Sequence, residues 1–304
     1  MKDHAILKEE AKSYFELLAF PAEAQEYLLA ALSKLYQNAE AFAEFAELLA
    51  SYDESIDVDI RAMTASMQTV SEKAGIHVLT GYMLMYVCML PRLRRYYEEK
   101  GIPDEIFVRT LCDLRYKVVE GKLVEGVYGI SEGAACGWYP SMFACKTLAF
   151  ARLQFVFGKA GFECEVDGVK VTADTPVLHI HIPRTGTKID RESILASYRE
   201  AAEYYASAFG DRPIIMTCSS WMLFPRHAEF LAPDSNMMQF YHDFHLVSSG
   251  YYDNYASVWR LFDCHYTGDV DALPANTSLR RAYVDLIRRG EKTGWGRGVI
   301  IYKK

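Results

Sequence analysis

The chain has 304 residues, of which 51% are hydrophobic and 24% are charged, and its formal net charge at pH 7 is −7. This composition is typical of a soluble globular protein, and the length permits one long domain or two smaller ones. The acidic balance argues against a nucleic-acid partner bound by neutralising its phosphates.

Residues 1 to about 118 are rich in Ala, Leu, Glu and Lys, with apolar residues recurring at spacings of three and four. This periodicity predicts amphipathic helices. Breaks between the helices are predicted at Pro21, Gly75, Pro91 and Gly101. The longest apolar run, Ile76 to Leu90, is short for a membrane span, so we expect a buried helix and no membrane partner.

From Gly121 to Cys145 the sequence is rich in Gly, Tyr and Ala and its periodicity is weak, which predicts an irregular crossover. We therefore predict a helical N-terminal domain, including this crossover, over residues 1–145 and a second domain over residues 146–304. The seven cysteines are scattered without a CxxC pair, and the first residues are polar. We expect free thiols, no secretory signal and a cytoplasmic location.

The second domain contains segments typical of β-strands. A strand is predicted from Ala151 to Phe157, and ECEVDGVKVTA, with Asp167-Gly168 at its centre, predicts a hairpin. Further along, the patterns predict a helix, two strands, a second helix and a final strand: Asn236–Phe244, His245–Tyr251, Ser257–Phe262, Ser278–Arg289 and Gly296–Tyr302.

The segment from Val177 to Ser220 is predicted to form a strand, a polar loop, a helix and a second strand. His179 and His181 lie on the same side of the first strand because side chains alternate along a strand. Asp190 is the predicted N-cap of the helix. A strand–helix–strand unit of this length implies a parallel pair of strands with a right-handed crossover.

Three kinds of site can be considered in this segment: an anion site, a metal site and a nucleophile. The loop from Arg184 to Lys188 precedes a helix N-terminus and is a candidate anion site. His179 and His181 form an HxH pair, but no acidic or cysteine residue stands at a ligand spacing from them, so no metal site is expected. Cys218 and Ser219, at a strand end, would suit a thiol or serine hydrolase, although the G-x-S-x-G elbow is missing.

Several short motifs of the C-terminal half, together with the order of its elements, carry a resemblance to a known family. They are LQF at 153–155, HIPRTG at 181–186, CSSWML at 218–223, SNMMQF at 235–240 and LPANTSLRRA at 273–282. The chain resembles bacterial two-domain acyltransferases, which have a helical N-terminal domain and a GNAT-like C-terminal domain. The expected fold class is therefore α/β (α+β), with a helical domain followed by a GNAT-like mixed-sheet acyltransferase domain.

The resemblance implies an acyl-CoA co-substrate, such as acetyl-CoA, held where two parallel strands splay apart at their ends. Ile182 and Pro183 would border the pantetheine arm. The pyrophosphate would be held by the following loop, which consists of Arg184, Thr185, Gly186, Thr187 and Lys188. The usual loop of this fold has a glutamine or arginine followed by two spaced glycines. Here Arg184 and Gly186 match, and the second glycine is replaced.

Direct transfer to an amine needs a base that makes the amine neutral and a donor that stabilises the oxyanion. We expect His181 to be the base, because the ordinary pKa of histidine lies near neutrality. The resemblance implies that Tyr241 protonates the departing CoA thiolate. It also marks Ser219, which stands where similar proteins carry a histidine, as a third candidate catalytic residue.

The sequence thus predicts an acyl-CoA-dependent N-acyltransferase that acts on a small-molecule or peptide amine, with no metal cofactor. The oligomeric state is not indicated. Two alternatives stay open beside the hydrolase: a non-catalytic ligand-binding protein that keeps the GNAT shape, and a His181 that is a buried residue satisfied by a backbone carbonyl.

Overall fold

The computed structural model describes residues 4–303. Residues 1–3 and 304, which the predicted domains include, lie outside the described residues. The chain divides into two compact units, the first ending at Ala149 and the second beginning at Phe150.

The first unit is helical. Its helices are α1 (His4–Leu17), α2 (Ala22–Gln37), α3 (Ala39–Glu54), α4 (Ile60–Ala74), α5 (Val78–Glu99), α6 (Asp104–Leu111), α7 (Asp113–Glu125), α8 (Glu132–Gly137) and α9 (Tyr139–Phe143). A short strand, β1 (Thr147–Phe150), runs across the boundary. Among the described residues no single helix is long and apolar enough to span a membrane, while α4 and α5, bent by 117°, pass that test together by length and composition.

Helix α5 forms the core of the first unit. Every residue from Thr80 to Leu90 is buried, which confirms the predicted buried helix. A Cβ at Gly81 would lie 2.1 Å from Ser71 Oγ, so glycine lets α4 approach α5 closely. The break predicted at Pro91 is wrong, because α5 continues through it to Glu99. We attribute this to the burial of α5 along its length, which outweighs the hydrogen bond that proline removes.

The irregular crossover predicted from Gly121 to Cys145 is also wrong. Helix α7 extends into it, and α8 and α9 follow. Helices of five or six residues are too short to be stable alone. Here two buried tyrosines hold them: the Tyr86 hydroxyl donates to the carbonyl of Ala135 at 2.6 Å, and that of Tyr52 donates to the carbonyl of Phe143 at 2.7 Å.

The second unit is a mixed sheet flanked by helices. Its strands are β2 (Leu153–Lys159), β3 (Cys164–Val166), β4 (Val169–Val171), β5 (Pro176–His181), β6 (Ile214–Ser220), β7 (His245–Tyr251) and β8 (Gly294–Tyr302). Its helices are α10 (Arg191–Tyr204), α11 (Ala206–Phe209), α12 (His227–Phe230), α13 (Asn236–His242), α14 (Trp259–Phe262) and α15 (Ser278–Arg288), with 3₁₀ turns at Trp221–Leu223 and Ala256–Val258.

Five of these strands lie side by side in the order β2-β5-β6-β8-β7. Only β5 and β6 run parallel among these neighbours in the described sheet. Helix α10 connects them, as the Val177–Ser220 pattern predicts. Strands β3 and β4 form a separate hairpin, in which Asp167 and Gly168 have φ angles of 52° and 76°. Both angles are positive, as a type I′ turn requires, and the hairpin prediction is confirmed.

The two faces of this sheet are covered differently. On one face, which we call the hairpin face, Val177, Ile215 and Val299 pack with the β3–β4 hairpin. On the opposite helix face, Gly298 approaches Phe244, which follows α13, so closely that a Cβ would lie 2.5 Å away. Because side chains alternate along a strand, His179 and His181 share the hairpin face with Val177.

The strand predicted from Ser257 to Phe262 is wrong: the segment is a 3₁₀ turn followed by α14. The segment is a short, mostly apolar run, and such a run does not by itself distinguish a strand from a helix. In the fold, the apolar members Val258 and Phe262 are buried four residues apart on one side of a helical segment, against Tyr283 and Leu286 of α15.

Candidate functional site

The parallel strands β5 and β6 part at their carboxyl ends. Their pairing comprises Leu178 with Met216 and His179 with Thr217. Strand β5 then continues to His181 and β6 to Ser220, while β6 stays paired with β8 as far as Ser220. Ligands of open α/β sheets bind at the carboxyl ends of such strands. This opening is therefore the candidate site.

The two histidines of β5 have different surroundings. His179 is the last residue of β5 that pairs with β6. Both of its ring nitrogens are bonded: Nε2 lies 2.9 Å from the carbonyl oxygen of Lys159, and Nδ1 lies 2.9 Å from Thr217 Oγ1. A nitrogen facing a carbonyl must donate, so Nδ1 accepts from the threonine hydroxyl. With both nitrogens engaged in the sheet, His179 is a structural residue here.

His181 is the last residue of β5 and is half-buried. Its backbone lies opposite Gln154 of β2, and the register of β5 with β6 places it level with Ser219, beyond the last paired residues. The structure therefore brings two of the predicted catalytic residues, His181 and Ser219, to the open end on one face of the sheet.

Ser219 is exposed, and its hydroxyl accepts a hydrogen bond from Nε of Arg297 at 3.0 Å. The two residues are directly opposite in the β6–β8 pair. The neighbouring Cys218 points to the helix face and is buried, and burial raises the pKa of its thiol to about 12. A thiol that stays protonated near neutrality is a poor nucleophile, so the arrangement does not favour the thiol hydrolase.

The predicted cofactor loop connects β5 to α10. Ile182 is half-buried and Pro183 is buried, and the Pro183 carbonyl accepts from Nη1 of Arg152 at 2.8 Å. Thr185 and Thr187 hydroxyls lie 2.8 Å apart, and the Thr187 N–H donates to Thr185 Oγ1.

Gly186, Thr187 and Lys188 form the exposed part of this loop. The φ of Gly186 is +76°, a conformation that favours glycine. The loop therefore presents one glycine in open space and one exposed cation.

Arg184 is held inside the second unit by a shared carboxylate. Its guanidinium donates to Asp263 Oδ1, and Arg280 donates to the other oxygen of Asp263 at 2.5 Å. Arg280 also donates to the carbonyl of Leu261 at 2.8 Å. Asp263 thus joins the loop residue Arg184 to Arg280 of α15.

The N-terminus of α10 is capped by its own chain. Asp190 accepts hydrogen bonds from the Ser193 hydroxyl at 2.6 Å and from its backbone N–H at 2.9 Å. These bonds hold the pKa of Asp190 below its ordinary value. A carboxylate therefore takes one of the helix donors that an anion would otherwise use.

Tyr241 lies on α13, close to this end of α10. Two residues beyond it, Asp243 accepts from Arg191 at 2.6 Å and from the Tyr198 hydroxyl at 3.2 Å, which ties α13 to α10. Burial, followed by the charge of Asp243, raises the pKa of Tyr198. Tyr241 is half-buried, and its hydroxyl makes no hydrogen bond to any of the described residues.

The sequence interpretation missed Arg297, Asp263 and Asp243. Arg297 stands between two glycines in GWGRGVI, an alternation that could have signalled a lone polar side chain on one face of a strand. Nothing local marks Asp263 or Asp243, because their partners Arg184 and Arg191 are distant in sequence. Across residues 4–303, no group of three or more His, Cys, Asp or Glu side chains is arranged to hold a metal ion.

Two family matches and several solved structures are similar to this chain. Residues 9–145 match the N-acyltransferase N-terminal domain, and residues 148–300 match the GNAT-like C-terminal domain. An acyltransferase in complex with decanoyl-CoA and teicoplanin shares 21% identity and a TM-score of 0.74, over 96% of this chain and 87% of that one. A mutant acyltransferase in complex with octanoyl-CoA shares 21% identity and a TM-score of 0.75, over 97% and 88%. No curated protein matches the chain.

These similarities agree with the architecture described above. Helices precede a mixed sheet with a single parallel pair, and the solved acyltransferases share this fold over nearly the whole chain. The fold class predicted from the sequence is therefore confirmed.

Proposed function

Because this chain belongs to the acyltransferase family that joins an N-acyltransferase N-terminal domain to a GNAT-like C-terminal domain, we propose that it transfers an acyl group from acyl-CoA to an amine. The observation that carries the proposal is the opening between β5 and β6, with His181 on one face and the α10–α13 pair on the other. Similar solved acyltransferases bind octanoyl-CoA and decanoyl-CoA, which supports a medium-chain donor.

The acyl-CoA would lie with its thioester in this opening. Its phosphates would contact the loop from Arg184 to Lys188 at the start of α10, where Lys188 and the Arg184–Arg280 pair supply positive charge. Ile182 and Pro183 would contact the pantetheine arm. Backbone N–H groups that β5 no longer shares with β6 would donate to the carbonyl oxygen as it becomes an oxyanion.

In the proposed reaction the amine nitrogen attacks the thioester carbon from the hairpin face. A C–N bond forms, His181 accepts the proton from nitrogen, and the C–S bond breaks. The CoA thiolate then takes a proton from the Tyr241 hydroxyl. Ser219, level with His181, would contact the acceptor. The placement of His181 and Tyr241 on opposite sides of the sheet supports this division, because the acceptor and CoA would approach from opposite faces.

The test is the release of free CoA thiol from acetyl-, octanoyl- and decanoyl-CoA in the presence of a panel of primary amines. We expect turnover with at least one pair, and a Tyr241→Phe variant slower by about 10²-fold in kcat. Tyr251→Phe is the matched control, because Tyr251 is exposed on β7. No thiol release and no binding of any acyl-CoA would refute the proposal.

A second candidate function is a non-catalytic acyl-CoA-binding protein. It is favoured by three donors near the loop that are already engaged: Arg184 with Asp263, the Thr187 N–H with Thr185, and the Ser193 N–H with Asp190. Under this alternative, octanoyl-CoA raises the melting temperature without thiol release. Under acyl transfer, the same ligand is turned over once an amine is added.

A further inference from the structure

Arg297 is a cation on the acceptor side of the site for which the proposed reaction gives no role. It is half-buried on the hairpin face of β8, and its Nε donates to Ser219 Oγ at 3.0 Å. The guanidinium carbon lies 4.9 Å from the ring centre of Phe162 and 5.9 Å from that of Trp295. Aromatic faces attract a guanidinium at such distances, so the group has one preferred position.

This guanidinium is not neutralised by the protein. The chain has 40 acidic and 33 basic residues, and most arginines near the site pair with carboxylates, as Arg184 and Arg191 do. Arg297 forms no ion pair with any carboxylate of residues 4–303. Its Nη groups therefore keep their capacity for a bidentate bond to an oxyanion.

The backbone around Arg297 is fixed from the other face. A Cβ on Gly296 would lie 2.0 Å from the carbonyl oxygen of Leu223, and one on Gly298 would lie 2.5 Å from Phe244. Glycine at both positions therefore lets this face of β8 pack directly against Leu223 and Phe244. The side chain of Arg297 is therefore presented to the hairpin face from a strand that is packed on its other face and paired with β6 and β7 on both edges.

Its place relative to His181 decides what it can bind. Ser219 lies between them, level with His181 and directly opposite Arg297. Neighbouring strands are about 4.8 Å apart, so the two backbones are separated by roughly 10 Å or more. An acceptor whose amine lies at His181 would reach Arg297 with a group several bonds away.

We infer that Arg297 is a specificity-determining residue that binds a carboxylate on the acceptor, so that the preferred substrate is an amine bearing a carboxylate several bonds from its nitrogen. This inference rests on the proposed acyl transfer and narrows its acceptor class. Ser219 orients the guanidinium through Nε, while Phe162 and Trp295 support it, and the Nη groups contact the substrate.

The experiment compares ω-amino acids, from 3-aminopropanoate to 6-aminohexanoate, with their primary amides as acceptors from octanoyl-CoA. Each pair differs in charge at nearly constant shape. We expect wild-type kcat/KM to favour the carboxylate of the best length, and Arg297→Gln to lower that value about 10- to 100-fold while leaving the amide nearly unchanged. Arg297→Lys, which keeps the charge and loses the planar fork, should fall between them. Arg281→Gln, an exposed change on α15, is the control for lost positive charge.

Equal use of each acid and its amide by the wild type, or an equal effect of Arg297→Gln on both, would overturn the inference while acyl transfer itself stands. If no amine of any kind releases CoA, the proposed function has failed. The inference is then decided by binding: the Arg297 Nε–H NMR resonance, identified by its loss in Arg297→Lys, should shift with 4-aminobutanoate and not with its amide. An unmoved resonance would refute it.

Discussion

The last pair of β5 and β6 and the opening beyond it make different use of the same residue type. In the last pair, His179 is bonded through both ring nitrogens, to Lys159 of β2 and to Thr217 of β6. At the open end, His181 lies where the two strands have ceased to pair. Two histidines on one face of one strand thus differ because of their distance from the last ladder pair. Position along a strand, more than residue type, separates a structural histidine from a candidate base.

The largest expected effect tests this contrast directly. His181→Gln removes the proposed base and should lower kcat by about 10²- to 10⁴-fold. His179→Gln is the matched variant. It should keep most of the activity and lower the free energy of unfolding by about 1 kcal/mol for each hydrogen bond lost. The reverse pattern, with His179→Gln inactive and His181→Gln active, would break the comparison.

A second histidine whose ring nitrogens are both hydrogen-bonded extends the comparison between His179 and His181. His227 is fully buried; its Nε2 lies 2.7 Å from the Tyr283 hydroxyl, and its Nδ1 lies 3.3 Å from the Met222 carbonyl. Burial lowers the pKa of His227 to about 4 from an ordinary value of 6.5. The unfolded chain therefore binds the proton first as the pH falls, so His227 contributes full stability above pH 6.5 and loses it toward pH 4.

We expect this loss to be about 3 kcal/mol, measured as the free energy of unfolding in urea between pH 7 and pH 4. His227→Asn should remove that part of the pH dependence. An NMR titration of the His227 imidazole gives an independent measurement. A titration midpoint near 6.5 would show that the His227 side chain is not buried as described.

Local signals in the sequence account for the parts of the site that are close in the chain. A few neighbouring residues are enough to predict three of its features: the Asp190 cap, the Asp167-Gly168 turn and the β5–α10–β6 order. Arg184 meets Asp263 79 positions away, and Ser219 meets Arg297 78 positions away. Such pairs depend on strand order and loop paths, which periodicity does not encode. The helix break predicted at Pro91 is wrong for a related reason. The burial of α5 among several helices outweighs the local tendency of proline to end a helix.

A smaller effect is expected from substituting Asp263, the carboxylate that holds the loop residue Arg184. It is about one-third exposed, and it pairs with Arg184 and Arg280. Its φ is +64°, which asparagine also tolerates. Asp263→Asn should therefore keep the backbone while removing the carboxylate that both arginines share, lowering the free energy of unfolding by about 1 to 3 kcal/mol.

The same variant tests the role of the loop in binding. With Arg184 released from its carboxylate, we expect octanoyl-CoA to bind more tightly at low salt, as measured by calorimetry. Asp253→Asn, which removes an exposed carboxylate, is the control. Weaker binding of octanoyl-CoA by Asp263→Asn would mean that the ion pairs hold the loop in its binding conformation.

The smallest effect concerns His179 and its neighbour on β2, Gly158. A Cβ on Gly158 would lie 3.3 Å from both Cδ2 and Nε2 of the His179 ring, so the ring would have to move by a few tenths of an ångström. Alanine in place of glycine within a strand should otherwise stabilise by roughly 0.5 to 1 kcal/mol. Because both ring nitrogens are bonded, we expect the contact to cancel this gain, leaving Gly158→Ala within about 0.5 kcal/mol of the wild type or slightly below it. In a His179→Ala background the same substitution meets no ring and should stabilise. A double-mutant cycle in urea measures the difference, and equal effects in the two backgrounds would mean that the ring of His179 is not held.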